Sequence, residues 1–445
     1  MMTPPVRPSQ PRQPQEPVRQ ENLRTLNLEL VFRHILSAGR PISRTELAAL
    51  TGLTRPTITR IAEELLAGQL ITEGAVTHSG RAGRPRVGLT LSEKGPAGLG
   101  LDIRADGLAA CVVDLTGTVR HLAFAPSAGR DAPDVLSNLA AMAGAAIDAV
   151  AADDLAVVTA TLAVPGPVSA GVVRSASALG WRNVDAGALL RTATRHLDLP
   201  IAVENEANLA ALGELYASDN SLDSFVYVSG GLGIGAGIVL GGQLMRGARG
   251  WSGELGHVTV YPDGKPCPCG SRGCLQTYAS LAAILGDAPT GTLPAIPGAD
   301  ATTGTASETG ATTGTAAFGA GGVTGVAATP EAVITGRAEA GGAETLAALD
   351  TAGTALGIAL SGMLNILDID TVLLGGSFSL LASWLTMNAR AELDQRVLTA
   401  AWAPVTIRPA LLGPDAAVIG AALTSIDQIR QHPTGWLTRQ TAVSL

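Results

Sequence analysis

Residues 22–37, NLRTLNLELVFRHILS, carry Leu23, Leu26, Leu30, Phe32 and Ile35 at near-helical spacing and predict an amphipathic helix. Gly39-Arg40-Pro41 stops it. Ser43, with Glu46 three residues on, is a capping box that opens a short helix, SRTELAAL. Thr51-Gly52-Leu53 turns the chain and Thr54 caps a third helix. Pro56 sits in its first turn, where a missing N–H costs nothing. In that helix Ile58, Ile61, Ala62 and Leu65 face inward, which leaves Arg55, Thr57, Thr59 and Arg60 outside. Leu70-Ile71 and Val87 to Leu91 then predict a hairpin. Its tip, SGRAGRPR, places Arg81, Arg84 and Arg86 among glycines and a proline.

The pattern changes after Lys94-Gly95-Pro96. Residues 98–104, 107–115 and 117–124 predict a three-strand meander, Pro133 to Ala152 a helix, and Val157 to Val164 a buried strand. Residues 201–214 give a strand, a polar turn and a helix. Residues 225–239, FVYVSGGLGIGAGIV, give strand, glycine loop, strand. A helix is predicted over 275–285 and a long one over 342–366. Strand 371–374, helix 378–398, strand 405–409 and helix 415–428 follow. Strands alternating with helices predict an α/β domain with layered sheets. Between 287 and 329 the chain is Ala/Gly/Thr-rich, without alternation and almost without charge, the composition of a flexible insertion.

Charge divides the chain further. Residues 1–91 hold twelve Arg and seven Glu and no Lys or Asp, a balance near +5; the whole chain is −8, so the rest is near −13. A basic front on an acidic body assigns the polyanion contact to the front alone. Helix, turn, helix and a basic wing make a winged helix-turn-helix. Arg55, Thr57, Thr59 and Arg60 would meet base edges in the major groove, and Arg81, Arg84 and Arg86 the backbone or a narrow minor groove. The leader, 1–20, has the Pro/Gln/Arg composition of a disordered segment and lacks the apolar core of a signal peptide. No long unbroken apolar run predicts a membrane span. A cytoplasmic, reducing location follows from a chain with four cysteines, three of them within eight residues. The fourth, Cys111, lies in the apolar run LAACVVDL and is expected to be a small buried hydrophobe.

The cysteine cluster carries the strongest chemistry. In WSGELGHVTVYPDGKPCPCGSRGCLQ, residues 251–276, His257 precedes Cys267, Cys269 and Cys274, with Gly and Pro between them to force turns. Three thiolates and an imidazole suit a tetrahedral soft cation, so a closed, structural Zn²⁺ site is predicted across 257–274. Elsewhere, Glu204-Asn205-Glu206 lies at a strand's carboxyl end, where ligand crevices of α/β sheets form. These residues suit clamping or deprotonating a hydroxyl. They equally suit capping of the next helix by Asn205, and the residues alone leave both readings open. The glycine loop is not a dinucleotide fingerprint, because a strand follows it.

VENEANLAALGE, SGGLGIGAGIV, GELGH and CPCGSRGCLQ, in this order and spacing, resemble the ROK family of repressors and sugar kinases over roughly residues 96–428. The winged helix-turn-helix in front is similar to that of the family's repressor branch. The resemblance implies an actin-like (ribonuclease H-like), two-lobed sugar-kinase-type fold, with sugar in the cleft and a homodimer or homotetramer as the assembly. Domains are then expected at 21–93 (winged helix-turn-helix), 96–222 and 223–428 (two lobes), with a tail at 429–445. By resemblance Asn205 matches the sugar-binding amide, and Glu206 stands where the kinases place a catalytic Asp. Glu254 and His257 match sugar contacts, and Gln276 replaces the usual Glu. The kinases' Asp-Gly-Thr phosphate turn is represented here by Asp102-Ile103-Arg104, and the second loop has Gly231-Leu232 where Thr-Gly is usual. Phosphoryl transfer depends on positioning phosphate oxygens. The resemblance therefore implies a sugar-responsive, operator-binding regulator without kinase activity, the alternative being a sugar kinase that also binds DNA.

Overall fold

The computed structural model describes residues 20–74, 87–104, 107–126, 131–177, 179–218, 222–231, 233–286 and 329–443. The leader before Gln20, the wing tip with Arg81, Arg84 and Arg86, and residues 287–328 of the expected insertion lie outside them. The chain forms two compact units, Met1–Pro96 with Asp427–Leu445, and Ala97–Ile426.

The first unit runs α1 (Gln20–Ser37), β1 (Ile42–Ser43), α2 (Arg44–Thr51), α3 (Arg55–Ala67), β2 (Ile71–Glu73) and β3 (Gly88–Leu91). The strands pair antiparallel in the order β1-β3-β2. The capping box forms: Glu46 N–H donates to Ser43 Oγ at 3.3 Å, and Ser43 N–H donates to Glu46 Oε2 at 2.9 Å. Such a cap stabilises its helix by about 1 kcal/mol. Ile58, Ile61, Ala62 and Leu65 are buried, as their spacing predicts. In α1 the inward stripe is Leu28, Val31, Phe32 and Ile35. Leu23 and Leu26 fall off that stripe and stay about half exposed, at 49% and 55%.

The expected C-terminal tail is a correction. Pro433–Val443 is a helix of this unit. Trp436 Nε1 donates to the carbonyl of Gly68, the residue that ends α3, at 2.7 Å. Leu437 Cδ2 packs against Gly68, 2.1 Å from where a Cβ would stand, so a side chain there would have to displace it. The helix was hard to see in the sequence because Gly435 and three threonines dilute its apolar stripe.

The second unit begins with β4 (Gly95–Ile103), β5 (Leu108–Asp114) and β6 (Val119–Ala125). Then come α4 (Ala132–Ala151), β7 (Leu155–Val164), β8 (Val168–Ser169), β9 (Val172–Ala176), β10 (Trp181–Asp185), α5 (Ala186–Ala193), β11 (Ile201–Asn205) and α6 (Glu206–Ala217). Its later half holds β12 (Phe225–Gly230), β13 (Ile234–Leu240), β14 (Gln243–Leu244), α7 (Gln276–Ala279), α8 (Leu281–Leu285) and α9 (Pro330–Glu339). It closes with α10 (Ala343–Leu367), β15 (Thr371–Gly376), α11 (Phe378–Arg396), β16 (Thr406–Pro409) and α12 (Ala416–Gln431), the last running past Ile426.

Two five-stranded sheets organise this unit, β11-β7-β4-β5-β6 and β14-β13-β12-β15-β16. Each mixes parallel pairs with an antiparallel meander. Leu99, Leu101, Leu136, Leu139 and Leu162 lie in the first core; Val226, Val228, Leu356, Leu360 and Phe378 lie in the second. A sequence boundary between lobes at 222 does not hold for the helices. α12 packs on the first sheet, where Gly100 leaves room for the Val418 carbonyl and Ser425 Oγ lies 2.7 Å from Thr161 Oγ1. α6 packs against β13 of the second sheet. The two helices meet backbone to backbone at Gly420, where a Cβ would fall 1.9 Å from the Leu209 carbonyl oxygen.

Three further differences from the sequence reading concern local structure. The expected helix at 275–285 breaks at Ser280, which caps α8 through Ala283 N–H. The small sheet β10-β9-β8 and helix α9 carry too few residues of regular period to be read in advance. Helices α4 and α10 are long and apolar enough to cross a membrane by length and composition. Their Ala-rich turns bury one face in the two cores, which is the behaviour of core helices.

Candidate functional site

Loops at the ends of both sheets enclose a cavity of about 580 Å³. Asn205, Glu206, Glu254, His257 and Gln276 line it, together with Asp102, Arg104 and Gly376. All five residues expected to contact sugar therefore line one cavity. β11 delivers Asn205 at its parallel pairing with β7 and hands the chain to α6, so Glu206 opens that helix at the cavity.

Asn205 is the N-cap: its Oδ1 accepts the Asn208 N–H at 3.1 Å, and its Nδ2 donates to the Gly166 carbonyl at 3.0 Å. The capping reading left open by the sequence is thus realised, and the amide meets the cavity with its orientation already fixed. Glu206 accepts a short hydrogen bond from Ser229 Oγ. Burial, with the charges of Asp102 and Glu254 adding to it, raises the Glu206 carboxyl to about 7; the Ser229 bond opposes the shift. Burial also raises Glu254 and lowers His257. Ser229, at the end of β12 before the glycine loop, was not singled out in the sequence. Its only signal was the strand end it occupies.

His257, Cys267, Cys269 and Cys274 bring their ligand atoms within 4.8 Å of one another. Cys269 Sγ and Cys274 Sγ stand 3.8 Å apart, as do Cys267 Sγ and His257 Nδ1. A tetrahedral centre with bonds of about 2.3 Å to sulfur puts its ligand atoms about 3.8 Å apart. The donor set and its spacing fit a divalent metal. His257 faces the thiols with Nδ1, which leaves Nε2 for the cavity. Glycine at 273 lets the loop close, with φ +67° and the Tyr261 carbonyl in the space a Cβ would take. Cys111 is fully buried and its thiol is pushed up to about 12 by burial, in keeping with a packing role.

Arg104, which also lines the cavity, is tied to two acids. Arg104 Nε donates to Asp102 Oδ2 at 2.9 Å and Nη2 to Asp415 Oδ1 at 2.9 Å, and the guanidinium stacks 4.8 Å from the Phe124 ring centroid. Tyr227 also lines the cavity, and its Oη accepts the Gly376 N–H at 3.2 Å. Phe378 fills the space beside Gly230.

In the other unit, Arg55, Thr59 and Arg60 are exposed along the first turns of α3. Thr57 is half-buried, and its hydroxyl lies 2.9 Å from that of the N-cap Thr54. Three of the four expected base-reading side chains are thus open to solvent, and the fourth is partly committed to the cap.

The ROK family profile matches residues 98–428. A putative xylose repressor of Caldicellulosiruptor sp. is 31% identical over 269 residues, 59% of this chain and 66% of that relative's length. A glucokinase of Halalkalibacterium halodurans is 30% identical over 283 residues, 63% of this chain and 75% of its own. Among solved structures, a ROK family transcriptional regulator described as a homolog of the E. coli Mlc protein superposes with a TM-score of 0.68 at 26% identity. It covers 94% of this chain and 98% of its own.

Proposed function

This chain belongs to the ROK family, and from that premise we propose that it is a sugar-responsive DNA-binding transcriptional regulator, a repressor without kinase activity. The observation that carries this is the set of residues that line one cavity. Asn205, Glu206, Glu254, His257 and Gln276, whose groups suit hydroxyls, line it together with Arg104, which is held by Asp102 and Asp415 at the place of the kinases' phosphate turn. Repressor-named relatives and the Mlc-like structural neighbour support the reading.

In this reading the resident metal is Zn²⁺, held by His257, Cys267, Cys269 and Cys274. Bound there it supplies charge and rigidity, since four protein ligands leave no position for a reactive water. His257 then meets a sugar hydroxyl through Nε2. Arg55, Thr59 and Arg60, with Thr57 at the cap, read operator DNA in the major groove, and Arg81, Arg84 and Arg86 contact its backbone. The protein acts in the cytoplasm as a homodimer or homotetramer. Sugar changes DNA affinity because it binds one arrangement of the protein better than another.

The kinase alternative draws on the glucokinase relative. A coupled ADP-release assay across common hexoses and pentoses separates the two. Absence of turnover, with thermal stabilisation by a sugar, supports the regulator; turnover abolished by Glu206→Gln establishes the kinase.

A further inference from the structure

Trp251 and Arg182 line the cavity without belonging to the five residues expected to contact sugar. Trp251 is 38% exposed, yet it is held in place. Its Nε1 donates to the Val168 carbonyl at 3.2 Å, and the Arg249 guanidinium lies over the ring, 5.8 Å from its centroid. The backbone beside it is tied down on both sides. Ser252 N–H donates to the Arg246 carbonyl at 3.2 Å, and Ala236 N–H donates to the Gly253 carbonyl at 2.7 Å. With the indole N–H spent and one face covered, what Trp251 offers a ligand is an apolar aromatic face.

Arg182 is exposed on β10, in register with Ser175 of β9, which also lines the cavity. Val168 opens β8, so the indole and the guanidinium are both mounted on the small sheet β10-β9-β8. That sheet adjoins Asn205. The Asn205 amide donates to the Gly166 carbonyl, and a Cβ on Gly166 would stand 2.0 Å from the Ser175 carbonyl oxygen. Close contacts therefore run from the Asn205 amide to the strand that pairs with Arg182.

We propose that the small sheet carries a second subsite of the cavity, with Trp251 as an aromatic platform and Arg182 as a donor fork, and that the ligand is a disaccharide. This rests on the sugar-binding reading above and names the size class of the sugar. A pyranose carries hydroxyls on its edge and C–H bonds on its faces. Those slightly positive hydrogens match the negative face of an indole. A guanidinium is a planar set of donors that suits two adjacent hydroxyl oxygens. One ring held by Asn205, Glu206, Glu254, His257 and Gln276 spends its hydroxyls on that set, which leaves platform and fork to a second ring. The cavity, at about 580 Å³, falls in the range of about 300–1,000 Å³ that takes ligands larger than one sugar. A phosphate on a single sugar would use the guanidinium and leave the indole face bare.

The test uses the full chain and isothermal titration calorimetry. Glucose, galactose, mannose and xylose are compared with disaccharides built from them and with glucose 6-phosphate. At least one disaccharide is expected to bind about tenfold or more tighter than its own component sugar. Trp251→Ala and Arg182→Ala are each expected to lower that disaccharide-to-monosaccharide ratio by about tenfold. Trp251→Phe, which keeps an aromatic face, is expected to restore most of it. The ratio is unmoved by a variant that merely loses competent protein, because both apparent affinities fall by the same fraction. Monosaccharides that bind as tightly as every disaccharide overturn the second subsite and leave the sugar-binding reading standing. A preference for glucose 6-phosphate over all the disaccharides overturns it too. A disaccharide preference that survives both alanine variants overturns the assignment to Trp251 and Arg182. If no saccharide binds, the sugar-binding reading falls and the second subsite with it.

Discussion

Arg104 Nη2 lies 2.9 Å from Asp415 Oδ1, tying the turn after β4 to the residue that precedes α12. The same guanidinium holds Asp102, whose side chain is 2% exposed. An arginine held between two acids is a structural element and not an open anion site. Breaking it leaves the buried Asp102 carboxylate without its cation, which costs about 3–5 kcal/mol for a well-buried pair. Arg104→Met is expected to lower stability by that order in denaturant unfolding. Arg104→Gly is expected to give no ADP release, because Ile103 still stands in the turn and Gly231-Leu232 still replaces Thr-Gly in the second loop.

Cys269 is the exposed member of the metal cluster and also lines the cavity. Cys269→Ser is expected to lose stoichiometric zinc by elemental analysis and to lose the sugar response with it. The first unit keeps its fold, measured as retained DNA binding. Full zinc with full response would remove the link between metal and ligand.

Glu206 gives a pH signature whose sign is fixed. Its carboxyl keeps its proton to about 7 in the folded protein, against 4.5 as the ordinary value. Below the ordinary value both states are protonated and the group costs nothing. As pH rises through this window the unfolded state ionises first, so stability falls and the loss is complete above the folded value. Glu206→Gln is expected to flatten the fall in Tm between about pH 5 and about pH 8. An unchanged slope would show that the carboxyl ionises freely in the fold.

Much of this was legible in advance, for reasons that differ by element. The capping box at Ser43 and Glu46 and the stripe Ile58, Ile61, Ala62, Leu65 depend on neighbours in sequence, and they form as read. The His257–Cys274 cluster was legible because the loop that gathers it is short. The exchange of α6 and α12 between sheets depends on contacts such as Gly420 with Leu209, which are distant in sequence. The Arg104–Asp415 bond spans more than three hundred residues and Trp436–Gly68 still more, so no local period announces them. In α1, Leu23 and Leu26 sit at plausible spacing, yet Leu28, Val31, Phe32 and Ile35 form the stripe that packs.

Trp436 supports the end of α3 through Gly68. Trp436→Ala removes a nearly buried indole and its hydrogen bond, a change of about 3–5 kcal/mol for a large aromatic. DNA binding is expected to fall with the melting of the first unit, seen as an early transition in calorimetry. Normal DNA affinity and a single unshifted transition would make the C-terminal helix dispensable.

Groove and backbone contacts separate by their sequence dependence. Thr59→Ala, on the exposed face of α3, is expected to change base preference in a selection from random duplexes. Arg84→Ala, in the wing tip outside the described residues, is expected to weaken all sequences alike and to lower the salt slope by about 1. Equal effects on every sequence from both variants would contradict the assignment of α3 to the groove.

The central claim is that a sugar in the cavity changes affinity for DNA. The direct measurement is fluorescence anisotropy on a duplex selected by the protein itself, repeated with each sugar that stabilises the protein in a thermal-shift screen. At least one such sugar is expected to change the DNA Kd by about tenfold or more at saturation, a coupling of about 1.4 kcal/mol. That change should vanish in Cys269→Ser. A DNA affinity that stays constant at saturating concentrations of every sugar that binds would contradict the account.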